Sequence, residues 1–127
     1  MSRPVLDASA LLAVLHLEPG HEEVAALLPS SVISSVNLAE TAAKLVDYGL
    51  PLDEVRERLR ELGLEVIPFD TEAAFSSAAL RETTRAAGLS FGDRACLAAA
   101  ETIGGVAVTA DRVWANLKIR TPVRVVR

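Results

Sequence analysis

Four carboxylates stand out by position: Asp7, Glu40, Asp93 and Asp111. Asp7 follows the apolar Val5-Leu6 pair and precedes Ala8-Ser9 and a helical apolar pattern, the form of a short buried strand turning into a helix. Asp111 follows Val106-Ala107-Val108-Thr109 in the same manner. Glu40 and Asp93 fall in the first turns of two further helices. Each has a bland reading as well: Asp7 and Asp111 as helix caps, Glu40 as a capping-box partner of Asn37 or an ion-pair partner of Lys44, and Asp93 as a capping-box partner of Ser90. Read together they say more, because strands alternating with helices make a parallel sheet whose carboxyl edge collects strand exits and helix starts. Four carboxylates there repel one another unless cations or raised pKa values relieve them. Ligands that are all oxygen suit Mg²⁺ or Mn²⁺ and not zinc.

The elements that must position these acids follow from the pattern of the chain. Strands are expected at 4–7, 31–34, 64–69, 106–109 and 123–126, the last at a sheet edge. Helices are expected at 9–17, 22–28, 38–48, from Pro51 to Leu62, from the Asp70 cap to about Ala87, at 91–103, and briefly around 113–117. No repeat or linker interrupts the 127 residues, so one domain spanning 1–127 is expected.

Composition narrows the function classes. Aromatics are only 4%, which disfavours a base-stacking RNA platform, and the net charge of −4 argues against a generally basic nucleic-acid coat. After Asp111, however, there is no acid, while Arg112, Lys118, Arg120, Arg124 and Arg127 follow. The single cysteine, Cys96, excludes an internal disulfide framework and a Cys-rich zinc site. No apolar run suits a membrane span and no signal peptide opens the chain, so a soluble cytoplasmic protein is expected. His16 and His21 stand away from the acids and are given no catalytic role.

The motifs Val5-Leu6-Asp7-Ala8-Ser9-Ala10, Asn37-Leu38-Ala39-Glu40, Leu89-Ser90-Phe91-Gly92-Asp93-Arg94-Ala95-Cys96-Leu97-Ala98 and Val108-Thr109-Ala110-Asp111-Arg112-Val113-Trp114 occur in this order along the whole chain. Together they resemble the PIN-domain nucleases, especially the VapC-type toxins of bacterial toxin–antitoxin pairs. The resemblance implies an α/β fold, a three-layer α/β/α sandwich with a mostly parallel sheet of about five strands. It implies a metal-dependent endoribonuclease in which Asp7, Glu40, Asp93 and Asp111 form the acidic quartet and hold one or two Mg²⁺ ions, or Mn²⁺ in their place. Ser9 and Thr109 match the accessory hydroxyls. Hydrolysis by metal-activated water fits this set and needs no covalent nucleophile. Arg94, Arg112, Lys118, Arg120 and Arg124 are candidates for flanking RNA phosphates, with a solvated surface as the alternative. Trp114 is read as packing.

The implied partners are an RNA substrate, a VapB-type antitoxin whose carboxyl-terminal segment lies in an apolar groove, and a second copy in a homodimer. The leucines Leu12, Leu15, Leu27 and Leu28 of the early helices are compatible with such a groove, although core packing accounts for most of them. A receiver domain would need adjacent acids after the first strand and a late lysine, and a haloacid-dehalogenase-type phosphatase would need an acid where Ser9 stands. The remaining alternative is a catalytically silent PIN-like module that binds RNA or protein.

Overall fold

The computed structural model describes residues 2–127. Five strands, β1 (Pro4–Leu6), β2 (Val32–Ser34), β3 (Glu65–Ile67), β4 (Val106–Thr109) and β5 (Val123–Val125), form one sheet in the order β3-β2-β1-β4-β5, and every pairing is parallel. Seven α-helices connect them: α1 (Ala8–Leu15), α2 (His21–Leu27), α3 (Ser35–Asp47), α4 (Leu52–Glu61), α5 (Thr71–Ala79), α6 (Arg81–Thr84) and α7 (Phe91–Ile103). Strand alternation sorts the core into two layers. Val5, Val32 and Ala107 face α7 and the 3₁₀ turn Arg112–Asn116, whereas Leu6, Ile33 and Val108 face α1 and α2, with Leu38, Leu59 and Leu62 of α3 and α4 beside them. The fold is the expected three-layer α/β/α sandwich, with β5 at an edge.

The strand order places the chemistry. From β1 the chain steps outward to β2 and β3, then returns to the other side of β1 for β4 and β5. The order therefore reverses between β1 and β4, where the two connections leave on opposite faces and open a crevice at the carboxyl ends. Asp7 and Thr109 stand at that crevice. Helix α7 reaches beneath it because Ala95, Cys96, Ala98, Ala99 and Ala100 are small and buried, so the helix lies close against the sheet. The Cys96 thiol donates to the Val5 carbonyl at 3.7 Å.

Several boundaries differ from expectation. Helix α3 starts at Ser35, not Leu38, because Ser34 ends β2 and also caps the helix through the Val36 N–H. Asn37 is thus inside the first turn and is not the cap. The long helix expected from Asp70 to Ala87 divides at Leu80 into α5 and α6; the Thr84 and Thr83 hydroxyls donate to the Leu80 carbonyl at 2.7 and 3.3 Å. The Thr84 N–H bonds the same carbonyl at 3.1 Å. Trp114 is buried, as expected of a packing residue. Leu15, Leu27 and Leu28 pack against the α1–α2 core, and the open apolar hollow lies elsewhere, between α3, α4 and β3. That hollow, of about 400 Å³, is lined by Leu38, Leu52, Val55, Leu59 and Val66, with Arg56 and Arg60 at its rim. Among the described residues no helix is long and apolar enough to cross a membrane.

Candidate active site

Asp7 leaves β1 with its backbone N–H still paired to the Val108 carbonyl at 3.0 Å, so it is fixed against β4 before its side chain is considered. It caps α1: its Oδ1 accepts the Ala10 N–H at 2.8 Å and the Ser9 hydroxyl at 2.7 Å. Its Oδ2 accepts the Thr109 hydroxyl at 2.5 Å, a short charge-assisted bond. Both hydroxyls are oriented from behind. Ser9 Oγ accepts the Ala110 N–H at 2.9 Å and Thr109 Oγ1 accepts the Asp111 N–H at 3.0 Å, which turns their hydrogens toward Asp7. Ser9 and Thr109 thus both donate to the Asp7 carboxylate.

Asp7 is nonetheless only 3% exposed, and burial outweighs its three donors. Its pKa rises from 3.8 to about 6, with desolvation as the largest cause, the Thr109, Ala10 and Ser9 bonds opposing it, and the negative charge of Asp93 adding to it. Asp93 sits in the first turn of α7 in a capping box: Ser90 Oγ accepts the Asp93 N–H at 3.2 Å, and Asp93 Oδ2 accepts the Ser90 N–H at 2.9 Å. Glu40, on α3, accepts from Asn37 Nδ2 at 2.9 Å. The Cys96 thiol, one turn below Asp93, is pushed well above its ordinary pKa by burial first, then by Asp7, Asp93 and Glu40. One buried group thus feels all three carboxylates. Asp111 is exposed at the exit of β4 and caps the 3₁₀ turn through the Val113 N–H at 3.0 Å.

Among the described residues, none of these four acids is in an ion pair; the ion pairs present involve Glu18, Glu23, Glu54 and Glu65. The Glu40–Lys44 pair allowed by sequence spacing is not formed. Among the described residues no group of three or more His, Cys, Asp or Glu side chains is placed to hold a metal ion. The four acids are thus without a cationic partner among the described residues and offer only oxygen donors. Those properties fit a hard divalent ion such as Mg²⁺, which keeps several waters and takes one or two carboxylates.

The basic candidates separate. Arg112 borders an open hollow with Ser9, Asp111 and Arg127, next to the acids. Arg127 was noted in the sequence only as part of a basic tail; it also pairs with Glu18 at 3.6 Å. Arg124 is paired with Glu23 at 2.9 Å, and Lys118 is exposed. Arg94 is half-buried, donates to the Ser77 carbonyl at 3.2 Å and so ties α7 to α5. Arg120 lies beside Gly104 and Gly105, which precede β4, and is therefore at the amino edge of the sheet, away from the acids. Two further residues stand against Glu40: Asn37, 1% exposed and read from the sequence only as a cap, and Gly92, quoted there without a role, where a Cβ would lie 2.3 Å from a Glu40 carboxylate oxygen.

A parallel sheet with a switch point, and a buried aspartate there supported by two hydroxyls, define an α/β protein with acids at the carboxyl edge of its sheet. The PIN domain family matches residues 5–119, and the chain belongs to that family. Among solved structures, the fold is similar to a chain of DNA-bound VapBC from Salmonella typhimurium, at 21% identity over all of both chains with a TM-score of 0.77. It is also similar to a chain of VapBC2 from Rickettsia felis bound to a promoter DNA fragment, at 18% identity over 95% of this chain and 96% of that one, TM-score 0.73. VapBC-5 of Mycobacterium tuberculosis, a member of the VapBC toxin–antitoxin family, is 25% identical over 98% of both chains with a TM-score of 0.61. No protein of curated function matches by sequence.

Proposed function

We propose that this chain is the toxin of a VapBC-type toxin–antitoxin pair and acts as an Mg²⁺- or Mn²⁺-dependent endoribonuclease. The observation that carries the reading is the buried, unpaired Asp7 carboxylate at the β1/β4 switch point, with Asp93 and Glu40 close enough to act on the same buried thiol. Such a set of charges is costly in the absence of a cation and suited to binding one. Asp7, Glu40 and Asp93 would hold the ion directly or through water, and Asp111 would act through water or a second ion. When bound, the ion acidifies a water and neutralises charge developing on the phosphate and on the leaving 3′-oxygen.

The protein's own part is orientation. Ser9 and Thr109 fix both oxygens of Asp7, while the carboxylate keeps a lone pair on Oδ2 that no described donor uses. Asp93 and Asp111 each commit one oxygen to a backbone N–H and leave the other without a protein donor. Arg112 and Arg127 border the acids and suit the phosphates of an RNA strand. The partner suggested by the similar VapBC complexes is a VapB-type antitoxin; the apolar α3–α4 hollow with Arg56 and Arg60 at its rim would suit an apolar antitoxin segment with an acid beside it. Acting on RNA beside an antitoxin, it would work in the cytoplasm.

The test is cleavage of total cellular RNA by purified, antitoxin-free protein in Mg²⁺ or Mn²⁺ and in chelator, beside Asp7→Asn. Discrete fragments that require metal and disappear in the variant are expected. Absence of cleavage by folded protein would turn the reading toward a silent binding module. Equal cleavage by both proteins would identify a contaminating ribonuclease.

A further inference from the structure

Glu40 differs from the other three acids in its support. Asp7, Asp93 and Asp111 are each held by a backbone N–H at the start of a helix. Glu40 is on the exposed side of α3, one turn after Asn37, and receives no backbone donor. Its restraint comes from two other residues. Asn37 is buried, and its Nδ2 donates both to Glu40 Oε1 at 2.9 Å and to the Gly92 carbonyl at 2.9 Å. Both neighbours are acceptors, so the amide must turn its NH₂ toward them, and the Oδ1 is left without a partner. Meanwhile the Glu40 carboxylate occupies the space a side chain at position 92 would fill. A Cβ there would lie 2.3 Å from Oε2, 2.4 Å from Oε1 and 2.5 Å from Cδ. Gly92 has no left-handed backbone to explain it, so close approach of Glu40 is the reason for glycine.

We propose that Asn37 and Gly92 are positioning residues for Glu40: together they seat its carboxylate against the first turn of α7, next to Asp93. The orphaned Oδ1 supports this, since a buried amide that leaves one acceptor unsatisfied is retained at a stability cost that its two donated bonds must justify. The proposal rests on the metal-site reading of Glu40 and adds which residues make that site rigid. Groups that orient a ligand in this way typically change metal affinity about 10- to 100-fold when removed.

The experiment is Mn²⁺ binding to the purified protein by calorimetry, with RNA cleavage in parallel, for Asn37→Leu, Asn37→Asp, Gly92→Ala and Glu40→Ala, and for each of the first three combined with Glu40→Ala. Urea melts in chelator report whether each variant folds. Asn37→Leu keeps the branched shape at a somewhat larger volume and removes the orphaned acceptor, so it serves where the charged Asp variant unfolds. Expected is a Mn²⁺ affinity about 10-fold or more weaker in Asn37→Leu and Gly92→Ala, and no further loss when either is added to Glu40→Ala. Additive losses in the double variants would mean a general structural role and overturn the proposal. So would undiminished affinity in Asn37→Leu and Gly92→Ala where Glu40→Ala is weakened. Unchanged affinity in Glu40→Ala itself would instead remove Glu40 from the metal site, and the proposal with it.

Discussion

In chelator, Asp7→Asn makes this protein more stable at neutral pH, although it removes the central acid of the site. The rise of the Asp7 pKa from 3.8 to about 6 is driven by burial and corresponds to about 3 kcal/mol. Between those two values the native state holds a proton that the unfolded chain has released. Stability therefore falls as pH rises through the window, and the deficit is complete above pH 6. The amide is neutral and of nearly the same volume. Its Oδ1 keeps the Ala10 and Ser9 donors, and its NH₂ meets Thr109 Oγ1, whose own hydrogen turns to Ser9 Oγ at 3.2 Å. The variant thus imitates protonated Asp7. The expected gain over wild type is about 3 kcal/mol at pH 8, declining to about 1 kcal/mol at pH 4.5.

Urea denaturation in chelator at several pH values measures this directly. With a urea dependence of about 1–3 kcal/mol/M, the midpoint of Asp7→Asn should exceed that of wild type by about 1–3 M at pH 8. Millimolar Mn²⁺ should raise the wild-type midpoint and leave the variant almost unmoved, because only the wild type binds the ion in its native state. A variant less stable than wild type at pH 8 in chelator would refute the reasoning. A difference that did not change with pH would do so as well, by showing that Asp7 charge is not what the fold resists.

Thr109→Val, close in shape, removes the bond to Asp7 Oδ2 and the acceptor for the Asp111 N–H; a loss of about 2 kcal/mol is expected in urea melts at pH 8. Gly20→Ala should destabilise well beyond the about 1 kcal/mol expected of Gly49→Ala. Both positions have positive φ, but at Gly20 a Cβ would lie 2.2 Å from the Val126 carbonyl oxygen, whereas at Gly49 it meets nothing within 4 Å. Filter binding of RNA to cleavage-inactive protein should weaken in Arg112→Ala and flatten in salt dependence, while Arg120→Ala binds as wild type, since Arg120 is at the opposite edge of the sheet.

What the sequence made legible was whatever repeats a local rule. Val5-Leu6-Asp7 and Val106–Thr109 read as buried strands with polar exits because burial on both faces demands continuous apolar runs. The start of α3 was missed because Asn37 is a good cap type, and only the backbone shows Ser34 serving as both strand end and cap. The break at Leu80 carries no glycine or proline, so nothing in the helical pattern flags it. Arg120 could have been excluded by topology alone. A parallel β5 must begin at the amino edge, so the residues just before Val123 are carried away from the acids. Asn37 and Gly92 meet across 55 residues, and no periodicity within either helix points to that contact.

The bland and the functional readings of the acids turn out not to be rivals. Asp7 and Asp111 are caps and Asp93 is the first-turn partner in a capping box, the three accepting backbone N–H groups at 2.8, 3.0 and 2.9 Å. In a parallel sheet, each connection ends a strand and begins a helix at the same edge, so acids chosen as caps are gathered there by topology. The helix starts also favour negative charge, which helps hold carboxylates together where no lysine or arginine neutralises them. Capping consumes one oxygen of Asp93 and of Asp111 and leaves the other toward solvent, so the interaction that orders the side chain does not use up the one that binds. Glu40 tests this account. It is the acid that caps nothing, and it is the one for which the fold supplies a buried amide and an empty glycine position instead. At Asp7 two side-chain hydroxyls add to the helix-start N–H; at Glu40, where that N–H is missing among the described residues, side-chain packing between α3 and α7 takes its place.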